Sequence, residues 1–143
     1  MKRFITLAVM AGLLTLSALT AFGDDLAKLE GKWSVKKTND DGQTYTQVVE
    51  IKKDKFKFRI IGTGDQVVLY AEGTVKTETM GSFNVAKFTD IKAGGSEGDA
   101  QPINDDRASV YMLGYNTWTL ASNFDKDRDN QKPSVDVYSK ATK

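Results

Sequence analysis

This chain of 143 residues contains no cysteine and no histidine. Without cysteine there are no disulfides and no thiolate metal sites, so a hydrophobic core rather than cross-links has to hold the fold. Without histidine the chain lacks the commonest general base, the usual activator of a serine nucleophile and the proximal ligand of a histidine-bound haem. Proline is scarce too, and both copies, Pro102 and Pro133, fall in stretches that read as loops. Neither sign of charge is in excess, with 20 Lys and Arg against 19 Asp and Glu. A near-neutral balance gives no electrostatic reason to expect nucleic acid or an anionic membrane surface as partner.

Only one long apolar run is present, from Phe4 to Phe22, behind Lys2 and Arg3 and followed by the sharply polar Asp24-Asp25. That layout, with small residues at Ala21 and Gly23, predicts a secretory signal over 1–23 with cleavage after Gly23. Thr6, Thr15, Ser17 and Thr20 dilute the run as a membrane span, which argues against an uncleaved anchor. No cysteine follows the cleavage point to carry a lipid. The expectation is an exported bacterial protein, periplasmic or extracellular, with one domain over 24–143.

After a short helix-like stretch at 24–30, where Leu26 and Leu29 share a face and Asp25 is placed to cap the first turn, the period changes from helical to two. Lys55-Phe56-Lys57-Phe58-Arg59-Ile60 alternates three apolar side chains with three cations, the pattern of a strand with one buried face. Further strands are expected at 32–37, 44–52, 66–71, 73–79, 83–91, 107–113, 117–122 and 134–140. Asp41-Gly42 and 62–65 supply turns, and Glu72-Gly73 a bulge or bend. The inward positions are read as Trp33, Val35, Tyr45, Gln47, Val49, Ile51, Val67, Leu69, Val75, Val110, Met112, Trp118, Leu120, Val135 and Val137. Residues 92–106 and 125–133 read as long surface loops. About eight strands predict an all-β, antiparallel up-and-down barrel with a short N-terminal capping helix, a size that either packs solid or holds one small ligand.

The order of short motifs carries a resemblance. Leu29-Glu30-Gly31-Lys32-Trp33-Ser34-Val35 opens the series. Asp54-Lys55-Phe56-Lys57-Phe58 and Ala71-Glu72-Gly73-Thr74-Val75-Lys76 follow. Tyr111-Met112-Leu113, Thr117-Trp118-Thr119-Leu120-Ala121 and Val135-Asp136-Val137-Tyr138-Ser139-Lys140 close it. A capping turn, then Gly-x-Trp on the first strand, then up-and-down strands, resembles the lipocalin and wider calycin group. The likeness is closer to the small secreted lipocalin-like domains of planctomycete-type bacteria, a family without an assigned activity. The resemblance implies that Gly31 and Trp33 form the barrel base. It also implies a cation over the tryptophan, where lipocalins use arginine and the last strand here offers Lys140, so that the contact is made by lysine or is missing.

Tyr45, Gln47, Phe56, Phe58, Leu69, Met112 and Trp118 are the candidate lining of an interior site for a small hydrophobic ligand; the same residues could simply fill the barrel. Asp125, Asp127 and Asp129 alternate as the first ligands of a calcium loop do. However, Asn130 stands where that loop needs glycine, and Lys126 and Arg128 offset the charge. The paired acids Asp40-Asp41, Asp105-Asp106 and Glu97 with Asp99 fall in predicted turns, where acidic residues are ordinary. The expectation is a non-enzymatic binding protein without a cofactor. The alternative is a filled barrel that meets a protein partner in the envelope through the loops 92–106 and 125–133.

Overall fold

Alternation along 44–61 builds the second hairpin of the sheet, because a period-two pattern can bury only one face of a strand. In the computed structural model, which describes residues 24–142, strand β2 (Thr44–Lys52) pairs antiparallel with β3 (Lys55–Ile61), setting Ile51 against Phe56 and Val49 against Phe58. The remaining elements are helix α1 (Asp24–Leu29) and strands β1 (Gly31–Thr38), β4 (Val67–Met80), β5 (Phe83–Gly94), β6 (Gln101–Pro102), β7 (Arg107–Gly114), β8 (Thr117–Ser122) and β9 (Ser134–Lys140). The predicted signal segment 1–23 lies outside the described residues.

The hydrogen-bonded order β4-β3-β2-β1-β9-β8-β7-β5, with β4 also paired to β5, closes the sheet on itself. The protein is therefore an eight-stranded antiparallel barrel, with β6 added beyond β5. Closure is uneven around the ring. β1 and β2 are in register from Gly31 opposite Ile51 to Thr38 opposite Thr44. At the seam, β1 meets β9 only where Trp33 faces Lys140 and Ser34 faces Ser139.

The bulge expected at Glu72-Gly73 is present as a register shift in the β4–β5 pairing between Glu72 and Thr74. It needs glycine at position 73, since a Cβ there would stand 2.5 Å from the Thr89 carbonyl oxygen and 2.9 Å from the Phe56 ring. Instead of two short strands, 67–80 is one long strand bent by this irregularity. The loop expected over 92–106 is partly strand, because β5 runs on to Gly94 and its end pairs with β6.

Parity fails in two strands. In β9 the side chains of Asp136, Tyr138 and Lys140 face inward while Val135 and Val137 are exposed. In β7 it is Ser109, Tyr111 and Leu113 that face the interior, and Met112 is 65% exposed. The run Val110-Tyr111-Met112-Leu113 is apolar on both faces, so it carries no alternation from which to choose. In β9 the deciding partners are distant in sequence: Lys37 for Asp136, Gln47 for Tyr138 and Trp33 for Lys140.

Candidate functional site

The two ends of the barrel differ in chemistry. At the base, α1 lies across the opening and Leu29, Trp33, Ile51, Phe56, Val75 and Trp118 form a fully buried apolar cluster. The Trp33 indole donates to the Leu29 carbonyl at 2.8 Å, tying the first strand to the helix that caps it. Lys140 Nζ stands 5.3 Å from the centre of the Trp33 ring, so the cation expected over that tryptophan is present and is a lysine. Asp25 does not cap α1 from outside, as expected, but lies within it and accepts a 2.7 Å hydrogen bond from the Tyr111 hydroxyl. Burial first, then this carboxylate, pushes the Tyr111 phenol upward.

The other end, the mouth, is bounded by the turns at 39–43 and 62–66 and the longer connections at 95–106 and 123–133. Its interior is mixed. Val35, Phe58 and Ile60 are half-buried, as are Tyr45 and Gln47. The Tyr138 hydroxyl donates to Gln47 Oε1 at 2.9 Å, and the Lys37 ammonium meets the Asp136 carboxylate at 2.9 Å. Ser109 and Ser122 share a 2.9 Å hydrogen bond across β7 and β8. Burial, then the neighbouring Asp136 carboxylate, pushes the Tyr138 phenol upward. Lys37–Asp136 and Tyr138–Gln47 both cross from β9 to β1 and β2, where the seam has no ladder.

The predicted lining divides accordingly. Tyr45, Gln47 and Phe58 come together in the mouth half, and Leu69 sits at its rim, 37% exposed, opposite Ile60. Phe56 and Trp118 belong to the buried base cluster. Met112 is on the outside of the barrel and cannot line its interior. Gly31 and Trp33 are at the base, as expected, and the Lys140 side chain passes close over Gly31. Lys37, Asp136 and Tyr138 were missed as site residues. The one available signal was that Tyr138 and Lys140 share the parity of a residue needed at the base.

Beside the mouth, an ionic cluster pins the loops. Arg128, whose side chain is only 7% exposed, donates from Nη1 and Nη2 to Asp125 and from Nε to Asp105. Asp105 also accepts from Arg107 and Lys126. Burial pushes the Asp105 carboxyl up, but hydrogen bonds from Lys126, Arg107 and Arg128 outweigh it and hold the group at about 2. Asp125 further accepts the Ala108 amide, so its oxygens are turned to protein donors. Asp127 and Asp129 are exposed. The structure does not bring the three aspartates together, and among the described residues no group of three acids is placed to hold a metal ion.

Two other surface features stand apart from the barrel interior. A shallow, solvent-open depression of about 320 Å³ lies beside α1, lined by Leu26, Ala27, Glu30, Lys53 and Asp54. The outer face of the sheet carries exposed Met112 and Val137 in one cross-strand row through Thr119, with Val135 in the next. Comparison of the chain with protein-family models, curated proteins and solved structures finds no match.

Proposed function

We propose that the chain is an exported, lipocalin-like carrier that takes a small, mostly apolar molecule into the mouth half of its barrel and performs no chemistry on it. One observation carries this reading: the apolar base is fully buried under α1, whereas toward the other end Val35, Phe58 and Ile60 are half-buried beside Tyr45 and Gln47, with Leu69 exposed at the rim. Apolar walls with a few placed polar groups are what a small-molecule site requires. The polar side chains of that half are paired as donors and acceptors rather than arranged as a nucleophile beside a base. The lipocalin-like membership and the periplasmic or extracellular location belong to the same reading, supported by the closed barrel, the Lys140–Trp33 contact and the composition of 1–23.

Native mass spectrometry of the protein from its own envelope, followed by organic extraction, tests it. The expected result is a reproducible apolar adduct that is lost in a folded Phe58→Lys variant. A bare mass, together with no uptake of an apolar fluorescent probe, would sink the carrier reading.

A second reading, a filled barrel engaging a protein partner in the envelope, is favoured by the exposed Met112, Val135 and Val137 on the outer face rather than by the pinned loops. Under it, Met112→Glu with Val137→Glu abolishes partner binding and leaves the interior unchanged.

A further inference from the structure

We propose that the outer face of β7, β8 and β9 is a homodimer interface, on which a second copy of this chain packs the same face about a two-fold axis running along the strands between β7 and β8. The inference is independent of what the barrel interior holds.

Two opposite sides of the ring differ in their outward residues. On β2 and β3, Glu50, Lys52, Lys55, Lys57 and Arg59 alternate with the inward Val49, Ile51, Phe56 and Phe58, the ordinary pattern of a sheet with one wet face. On β7, β8 and β9 the outward positions alternate with the buried Tyr111, Trp118, Leu120 and Tyr138. Those outward positions are alanine, valine, methionine, glycine, threonine and serine, and none carries a charge.

Apolar bulk collects on that uncharged side. Met80 pairs with Phe83 across β4 and β5, and Phe83 and Met112 both adjoin the Asn84–Tyr111 pair at the end of the β5–β7 ladder. The row then continues through Thr119 to Val137. Met80, Phe83, Met112, Val135 and Val137 are each 52–66% exposed. The Lys87 ammonium meets the Glu78 carboxylate at 2.8 Å beside the row, so its margin on β4 and β5 is polar and neutralised.

Area and shape name the occupant. Five side chains so exposed present on the order of 500 Å² of mostly apolar surface, near the upper end for the largest patch on a monomer. A homodimer interface of standard size takes about 800 Å² from each partner, about two-thirds of it apolar. The patch therefore supplies the apolar share that one subunit needs. Its bulky members, Phe83 and Met112, lie on one side of the β7–β8 boundary, and the smaller Thr119 and Val137 on the other. A two-fold axis along that boundary sets Met112 against Thr119 of the partner subunit and Phe83 against the partner subunit's Val137, and symmetry makes each contact twice. No ion is stripped of water when two such faces meet. A lipid surface fits less well, because the face has no lysine, arginine or tryptophan to engage headgroups.

Sedimentation equilibrium of the protein from its own envelope tests the inference. A dimer with a dissociation constant of about 1 μM or below is expected. Met112→Glu with Val137→Glu should weaken it at least about a hundredfold, and Lys57→Glu, across the ring, should leave it unchanged. Circular dichroism and urea midpoints establish that each variant folds. A second readout needs no charged variant, because the chain has no cysteine to interfere with a single attached label. A nitroxide on Ser139→Cys, at the margin of the face, should report one separation between copies of about 20 Å, and one on Lys57→Cys at least about twice that. A monomer at every concentration overturns the inference, as does a dimer that ignores the Met112 and Val137 changes and lacks the short separation. A monomer that floats with phosphatidylcholine vesicles overturns it in favour of lipid. None of these results touches the interior, so the carrier reading stands or falls by its own test.

Discussion

The base and the mouth of this barrel are built from the same strands but held by different forces. Below, Trp33, Trp118, Leu29 and Val75 are removed from water altogether, and one indole bond fastens the helix to the first strand. Above, the same strands continue with half-buried Tyr45, Gln47 and Asp136, and one ion pair and a hydrogen bond from the buried Tyr138 are added to the apolar packing. The base is where burial supplies stability, and the mouth is where the interior keeps polar groups near water. On the proposed carrier reading, a guest exchanges against the weaker half while the base keeps the fold.

The sharpest way to break the contrast is to delete the base. Trp33→Ala removes a fully buried ring and its bond to Leu29, and should cost about 3–5 kcal/mol of unfolding free energy. Leu69→Ala at the rim should cost under about 1 kcal/mol, since a half-exposed side chain loses little. Urea titration of the two variants measures both, and equal losses would contradict the division.

Removing Arg128 comes next. Arg128→Met leaves Asp105 and Asp125 without their shared guanidinium and should cost about 1–3 kcal/mol, read as a lower urea midpoint at neutral pH. The same cluster should make the fold sensitive to acid. Asp105 has its carboxyl held at about 2, below the ordinary value of an unfolded aspartate. Its contribution is therefore present in full above about pH 4 and lost as pH falls through the folded value near 2. Discounted for partial exposure, it is about 1–2 kcal/mol. In Asp105→Asn this acid-dependent loss should flatten, which stability measured between pH 5 and pH 2 would reveal.

Smaller again is the latch across the seam. A double-mutant cycle on Lys37→Met and Asp136→Asn should give a coupling of about 0.5–1 kcal/mol, together with faster amide exchange in residues 134–137 and none at the base. An effect of the same size, about 0.5–1 kcal/mol, is expected from Lys140→Met, because the cation over Trp33 adds little to a ring already buried.

The legibility of the sequence follows the same line. The base was readable because its signals are local: Gly31-x-Trp33 after Leu29, and the strict alternation around Phe56 and Phe58, imply burial without knowledge of any distant strand. The β4 bulge could be read from Glu72-Gly73 for a similar reason. The mouth was harder to read. Tyr45 and Gln47 were placed on the right face by parity, but Asp136 and Tyr138 owe their orientation to Lys37 and Gln47, about 90 to 100 positions away. Val135 and Val137 looked like core because valine usually is, and only the closed ring shows that their side of β9 faces out. Arg128 does offset Asp125 of its own loop, but its second partner, Asp105, lies in another loop, where spacing gives no sign of it.

The seam between β1 and β9 also bears on the order in which the molecule can fold. Its two edges come from opposite ends of the domain, Gly31–Thr38 and Ser134–Lys140, and Trp33 meets Lys140 only once both are available. Every other pairing in the ring joins strands near one another in the chain, so a nascent or threaded polypeptide can build an open, curling sheet in sequence but cannot seal it. The protein is thus unfinished until its final seven-residue strand arrives. Loss of that strand alone would leave an exposed sheet edge in place of a smaller stable barrel.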